Sequence, residues 1–131
     1  MSPPRPGEKL PSIPLGTFDA ATIARYAQAS GDVNPVHLDA AAARAIGLSD
    51  QIAHGMLVMG RLSRLALEWR AGAVLEAFEC RFTRPVPAGS TLSGEGRVAK
   101  VDGGRVILRL LARDDAGAIA VMGEATLRLP G

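Results

Sequence analysis

The chain has 131 residues, 47% apolar and 21% charged, which is the composition of an ordinary globular protein with a sizeable core. Its formal net charge of +2, with the arginines scattered along the chain, argues against a nucleic-acid-binding protein. The only cysteine, Cys80, excludes an internal disulfide and fits a reducing cytoplasm. No apolar run approaches the length of a membrane span, so we expect no membrane partner.

The chain opens with a proline-rich segment, and we expect residues 1–10 to be a flexible lead-in to a single domain over 1–131. An edge strand is predicted over 13–18, where prolines interrupt the pattern. From Asp19 the apolar spacing becomes helical, with Asp19 or Thr17 as the cap and Gly31 as the stop.

The next segment, SGDVNPVHLD over residues 30–39, places an acid, an amide and an imidazole close together. Gly31 and Pro35 predict a non-helical loop on which Asp32 and His37 can converge on one point. Such convergence is what acid-base work on a water molecule requires. Asp39 is then predicted to cap an alanine-rich turn over 40–46.

The longest helix is predicted over 55–71, because its apolar side chains recur at helical spacing in the stripe Val58, Leu62, Leu65, Ala66 and Trp69. After Gly72 the period changes to two, which predicts strands over 77–84, 91–101, 105–113 and 119–129. The breaks at 102–104 and 114–117 are hairpin signals. Helices followed by a run of strands predict an α+β fold, in which an antiparallel sheet wraps around the long helix. One such sheet leaves open edges, so we expect pairing with a second copy.

Several segments together form a recognisable pattern: Ser30-Gly31-Asp32-x-Asn34-Pro35-x-His37-x-Asp39, Gly47-Leu48, Ile52-Ala53-His54-Gly55-Met56-Leu57 and Phe82-Thr83-Arg84-Pro85-Val86-Pro87-Ala88-Gly89. This pattern resembles the signature of the MaoC-like, or (R)-specific enoyl-CoA hydratase, family. The resemblance implies a hot-dog fold, usually dimeric. It also implies addition of water to a trans-2-enoyl thioester to give a (3R)-3-hydroxyacyl product, or the reverse dehydration.

The resemblance also implies roles for single residues. Asp32 and His37 match the family's catalytic pair, and the sequence does not decide which of them is the base. Asn34 is expected to fix the loop or the histidine tautomer. The backbone N–H of Gly55, at a helix start, matches the group that faces the thioester carbonyl oxygen. Ser63 matches a polar position near the site.

Other interpretations stand beside these roles. Asp32 could form only an Asx-turn, and His37 or His54 could be structural, with His54 tying the helix start to the loop. Arg81 and Arg84 could contact coenzyme A phosphates or simply face solvent. The spacing of His37, Asp39 and His54 matches no common metal site, so we expect neither a metal nor a cofactor beyond the carrier thioester.

Two other functions remain open on this fold: a thioesterase, and a binding subunit without catalysis. Leu48 stands where the family often has phenylalanine, and this difference leaves the acyl-chain preference open. The pairing of Asp32 with His37 favours the hydratase. The expected substrate is an acyl-CoA or acyl-carrier-protein thioester, and the expected assembly is a homodimer.

Overall fold

The longest helix lies at the centre of the fold. The computed structural model describes residues 2–131, and its elements in chain order are β1 (Ile13–Phe18), α1 (Ala20–Ser30), α2 (Pro35–Leu38), α3 (Ala40–Ala45), α4 (Gly55–Trp69), β2 (Val74–Phe82), β3 (Ser90–Asp102), β4 (Arg105–Asp114) and β5 (Ile119–Arg128). The strands form one antiparallel sheet in the order β1-β3-β4-β5-β2. Helix α4 contacts all five strands. The expected α+β architecture, a sheet curled around one long helix, is confirmed.

The core lies between α4 and the concave face of the sheet. The predicted helical stripe supplies Val58, Leu62, Leu65 and Ala66, each at most 2% exposed. The side chains of β4 and β5 that face the helix are buried equally deeply, among them Leu108 and Leu127. Burying a side chain of this size contributes about 1.5–3 kcal/mol. This contact between the helix and the sheet therefore fixes the position of α4, including its first residue, Gly55.

Helix α1 begins and ends at the residues that its sequence predicts. The Asp19 carboxylate accepts a hydrogen bond of 2.7 Å from the backbone N–H of Thr22, and this bond holds the pKa of Asp19 below its usual value. At the other end Gly31 adopts φ 80°, and its N–H donates to the carbonyl of Ala27. Because only glycine takes this left-handed conformation at no steric cost, α1 stops there and the chain turns into the next loop.

The expected flexible lead-in over 1–10 needs correction at residues 7–10. The N–H groups of Gly7 and Leu10 donate to the carbonyls of Val98 and Gly96 on β3. The side chain of Leu10 is 5% exposed and belongs to the core. These residues therefore run along β3 just before the start of β1. Their burial and backbone hydrogen bonds hold them in place although prolines lie nearby.

The bounds predicted for β2 were also displaced. The strand covers Val74–Phe82, where the sequence predicted 77–84. The register with β5 shifts between Leu75 and Ala77. This irregularity interrupts the alternation of side chains, so the first residues of the strand do not show the period of two. No helix within the described residues 2–131 is long and apolar enough to cross a membrane.

Candidate active site

The loop after α1 holds Asp32 in a defined orientation. The Asp32 N–H donates to Ser30 Oγ at 3.2 Å, and Asp32 Oδ1 accepts from the N–H of Asn34 at 3.3 Å. This Asx-turn occupies one carboxylate oxygen. The other oxygen, Oδ2, faces His37. Asp32 therefore forms the Asx-turn considered as its structural role and still presents its second carboxylate oxygen to His37.

His37 lies on the helical turn α2, which corrects the prediction of a non-helical loop. Pro35 stands in the first turn of α2, where its missing N–H breaks no helical hydrogen bond. Asn34 precedes it as the N-cap, and Asn34 Oδ1 accepts from the N–H of Val36 at 3.0 Å. The same Pro35 that disfavours a helix interior thus favours a helix start.

His37 is held by one ring nitrogen and presents the other to Asp32. Nδ1 lies 2.8 Å from the carbonyl oxygen of Ile52. Because a carbonyl can only accept, Nδ1 carries the hydrogen and Nε2 of the neutral ring is a free acceptor. Nε2 lies 3.8 Å from Asp32 Oδ2, and the side chains of His37 and Asp32 are 12% and 54% exposed. This distance is too long for a direct hydrogen bond, yet both atoms are within reach of one water molecule.

His54 lies directly behind this pair. Its side chain is buried, at 2% exposure, and its ring stacks on that of His37 with centroids 3.8 Å apart. His54 Nε2 lies 2.9 Å from the backbone carbonyl oxygen of Asp32 and therefore donates to it. Its Nδ1 is buried without a hydrogen-bond partner in the part of the chain that the structure describes. The expectation that His54 ties the helix start to the loop agrees with these contacts.

Gly55 is the first residue of α4 and follows His54 in the chain. The N–H groups of a first helical turn have no partner within the helix, and they carry a partial positive charge. The ring of Phe82, at the end of β2, covers the position where a side chain would begin: a Cβ on Gly55 would lie 3.1–3.3 Å from three of its atoms. The absence of a side chain at Gly55 therefore allows the Phe82 ring to pack closely against the start of α4.

The remaining candidates are more dispersed. The Ser63 hydroxyl donates to the carbonyl of Gly60 within α4 at 2.5 Å. Arg84 is exposed and lines a pocket of about 430 Å³, together with Leu48, Ile52 and Asp114. Asp32, His37 and Gly55 are not among the residues that line this pocket. Ile52 connects the pocket to the Asp32–His37 pair, because it lines the pocket and its backbone carbonyl accepts the hydrogen bond from His37 Nδ1.

The donor atoms that cluster are not those of all three residues considered from the sequence, His37, Asp39 and His54. Asp39 caps α3, where its carboxylate accepts from the N–H of Ala41 at 2.9 Å. The donors that do cluster belong to Asp32, His37 and His54, within 4.8 Å of one another. Ligands of one tetrahedral zinc ion stand about 3.4 Å apart. The separation of 3.8 Å between His37 Nε2 and Asp32 Oδ2 fits a bridging water molecule, and one nitrogen of each ring is already hydrogen-bonded to a backbone carbonyl.

Comparison with known proteins identifies the family. Residues 2–113 match the family model for the MaoC like domain. The chain is 34% identical over 117 residues to the (R)-specific enoyl-CoA hydratase of Aeromonas caviae, covering 86% of this chain and 87% of that protein. It is 35% identical over 77 residues to the mitochondrial 3-hydroxyacyl-(acyl-carrier-protein) dehydratase of Arabidopsis thaliana, covering 59% of this chain and 46% of that one.

The solved structures agree with this result. The (R)-hydratase from A. caviae involved in PHA biosynthesis superposes with a TM-score of 0.86 at 31% identity, covering 96% of this chain and 97% of that chain. The chain belongs to the MaoC-like family of hydratases and dehydratases, and its fold is the hot-dog fold of that family. It is a hydro-lyase, as the resemblance implied.

Two neighbours of the site were not predicted from the sequence as parts of it. The stacking of His54 on His37 joins residues 17 positions apart, and the contact of Phe82 with Gly55 joins β2 to α4. The position of His54 immediately before a helix start was a signal for its role. Phe82 was singled out only as the first residue of the segment over 82–89, and nothing in the sequence predicted its contact with Gly55.

Proposed function

We propose that the protein is an (R)-specific enoyl-CoA hydratase, which adds water to a trans-2-enoyl thioester and also catalyses the reverse dehydration. The observation that carries the proposal is the separation of 3.8 Å between His37 Nε2 and Asp32 Oδ2, beside the start of α4. The identity with the A. caviae hydratase supports this choice within the family.

The pair is arranged to hold one water molecule in an attacking orientation. Both Nε2 and Oδ2 accept hydrogen bonds, so the water donates one hydrogen to each and its lone pair faces the substrate. The oxygen bonds to the β-carbon as the double-bond electrons move to the α-carbon and the thioester oxygen. His37 takes the proton and returns it to the α-carbon, and Asp32 stabilises the imidazolium in between. The anchored Nδ1–H leaves Nε2 free to accept a proton, which supports the proposal that His37 is the base.

The start of α4 supplies the remaining requirement. Negative charge develops on the thioester oxygen during attack, and the unpaired N–H of Gly55 at a helix N-terminus stabilises it. His54 connects the two parts, because it contacts Asp32 and His37 and precedes Gly55 in the chain. The water molecule and the developing enolate therefore lie on either side of the short segment His54–Gly55. Asn34 supports α2, and Ser63 is a further polar group on α4.

Recognition of the carrier belongs to the exposed surface. Arg84 has no ion-pair partner within residues 2–131, and its guanidinium suits a phosphate of coenzyme A. The same charge suits an acyl-carrier protein, and the choice between the two carriers is an outcome of the assay. The proposed location is the cytoplasm, where a reduced Cys80 needs no partner.

A homodimer is the proposed assembly. The outer edge of β2 pairs with no strand within residues 2–131. Val74 and Phe82 at its two ends, and Met56 beside Gly55, are 45%, 48% and 62% exposed. Exposed apolar groups along an unpaired strand are what a second copy covers. Since Phe82 and Met56 flank Gly55, the partner would also close the site.

The test is the loss of enoyl-thioester absorbance with crotonyl-CoA, with the chirality of the product determined. We expect turnover to the 3R product, and kcat lower by about 10²–10⁴-fold in Asp32→Asn and in His37→Ala. Asp39→Asn is the matched control: it removes a nearby carboxylate, keeps the cap on α3, and should leave kcat unchanged.

Thiol release is followed in parallel. Burial raises the pKa of Cys80 to about 11, so the protein's own thiol should contribute little to this signal at pH 8. Thiol release without hydration would replace the proposal by a thioesterase. Absence of turnover with enoyl thioesters of both carriers and several chain lengths would replace it by a binding subunit without catalysis.

A further inference from the structure

We infer that His54 is a positioning residue for the reaction, which fixes both members of the Asp32–His37 pair from the buried side of the site. The inference rests on the proposed function, because it assigns His54 an effect on the water-activating pair. It goes beyond tying a helix to a loop, because it requires that the imidazole at position 54 acts on turnover through two separate contacts.

The first contact holds the backbone of Asp32. The loop from Gly31 to Asn34 is exposed on every residue, and its other hydrogen bonds at Asp32 are local, to Ser30 and Asn34. The hydrogen bond from His54 Nε2 to the Asp32 carbonyl connects this loop to the buried start of α4 over a separation of 22 residues. Without it, local turns alone would place the carboxylate.

The second contact holds the ring of His37. The two imidazoles are stacked with an interplanar angle of 21° and centroids 3.8 Å apart. The ring of Tyr26 packs against His54 at 4.8 Å and 60°. The hydrogen bond from His37 Nδ1 to Ile52 fixes one point of the ring, and the stack fixes its plane. Together they direct Nε2 towards Asp32.

The unpartnered Nδ1 argues that both contacts matter. It lies buried in the described structure with no hydrogen-bond partner, which is unfavourable for a polar atom. A leucine or phenylalanine would fill the same space without a bare nitrogen. An imidazole is the group that offers a flat face to His37 and an N–H to Asp32 at once, and a bare Nδ1 follows from using Nε2 as the donor.

Two variants separate the contacts. His54→Phe keeps a flat ring and loses the donor, whereas the amide nitrogen of His54→Gln reaches the position of Nε2 and keeps the donor. Because small displacements of catalytic groups cost up to about 100-fold in rate, we expect kcat of His54→Phe to fall about 10- to 100-fold with KM changed less than about threefold. We expect His54→Gln to recover part of the loss.

The control for general destabilisation is Val106→Ala, a cavity variant in the core of β4. It should lower the unfolding midpoint with kcat unchanged. The inference is overturned if kcat of His54→Phe equals that of the wild type, if only KM rises, or if Val106→Ala loses kcat to the same extent at a similar loss of stability.

A spectroscopic measurement tests the geometry without substrate. The chain contains two histidines, and their hydrogen bonds require opposite neutral tautomers: hydrogen on Nδ1 in His37 and on Nε2 in His54. Nitrogen-15 NMR of the labelled rings at high pH should show one of each. Two identical tautomers would contradict the inference. Since this result does not depend on turnover, an inactive wild type would count against the proposed function and not against the geometry of His54.

Discussion

At the scale of single residues, Asn34 holds the turn that carries His37. Its side chain accepts the first N–H of α2, a helix of four residues that has few other hydrogen bonds. We expect Asn34→Ala to cost about 1 kcal/mol of cap energy and to lower kcat several-fold by loosening His37. Asn34→Asp and Asn34→Ser keep an accepting oxygen and should retain most of the activity. Equal losses in Asn34→Ala and Asn34→Ser would contradict the capping role.

The same residues show what the sequence can predict at this scale. Asp32 and His37 were proposed because an acid and an imidazole lie five residues apart, and Gly55 was proposed through the family resemblance. The caps at Asp19 and Asp39 were predicted because a cap is a local hydrogen bond. The ring stack of His37 on His54 depends on how α4 packs under the loop. A contact set by tertiary packing leaves no spacing pattern in the chain.

At the scale of elements, the start of α4 is fixed by packing against β2. A Cβ added to Gly55 meets the Phe82 ring at 3.1–3.3 Å, so the ring must shift by a few tenths of an ångström in Gly55→Ala. Because half of Phe82 is exposed, the shift is easy and we expect stability to change by less than about 1 kcal/mol. We expect kcat to fall at least about tenfold, since the added methyl group crowds the backbone N–H that is proposed to face the thioester oxygen.

Gly60 offers the matched control on the same helix, because a Cβ there meets no atom within 4 Å. Gly60→Ala should stabilise α4 by about 0.5–1 kcal/mol with kcat unchanged. Urea unfolding and crotonyl-CoA turnover are measured for both variants. If Gly55→Ala/Phe82→Leu regained full activity, the displaced ring and not the methyl group would be the cause.

The far end of β2 is tied to the sheet by charge. The Glu76 carboxylate lies 2.7 Å from Arg105 Nε on β4 and 3.3 Å from Arg128 Nε on β5. The hydrogen bond from Arg105, followed by the charges of both arginines, lowers the pKa of Glu76. A carboxyl group with a lowered pKa stabilises the fold above its unfolded value of 4.5, and this contribution is lost as the pH falls through the folded pKa.

Glu76→Gln should therefore be less stable than the wild type at pH 7, and the difference should shrink as the pH is lowered below 4.5. Added salt should also reduce it, because the pair is partly exposed. Glu124→Gln on β5 is the control, since Glu124 forms no ion pair within residues 2–131. A difference independent of pH, measured by urea unfolding, would contradict the role of the pair.

The strands show why element bounds are harder to predict than element types. The long helix and strands β2 to β5 were predicted from periodicity, and β1 was predicted as a short edge strand. The bounds of β3, β4 and β5 agree with the sequence prediction within one or two residues. The start of β2 was mispredicted because the period of two breaks at the irregularity after Leu75. Helix α2 was missed because proline disfavours a helix interior but favours a first turn, where Pro35 lies. The pairing of residues 7–10 with β3 was missed because proline-rich segments carry no alternation.

At the scale of the whole molecule, the open edge of β2 leads to a prediction about assembly. The chain has a mass of 13.6 kDa, and we expect light scattering to give twice that value. The exposed Met56 and Phe82 flank the helix start that holds the developing charge. Excluding water there would strengthen the interaction of the Gly55 N–H with the thioester oxygen, and in the proposed homodimer the partner would supply this closure.

Dilution separates a dimer needed for catalysis from one needed only for stability. As the protein concentration falls below the dissociation constant, specific activity should decline together with the dimer fraction, and far-UV circular dichroism should remain unchanged. An inert carrier protein at constant concentration controls for adsorption to surfaces. A monomer with full activity would mean that the residues of one chain complete the site, and the exposed apolar groups along β2 would then require another occupant.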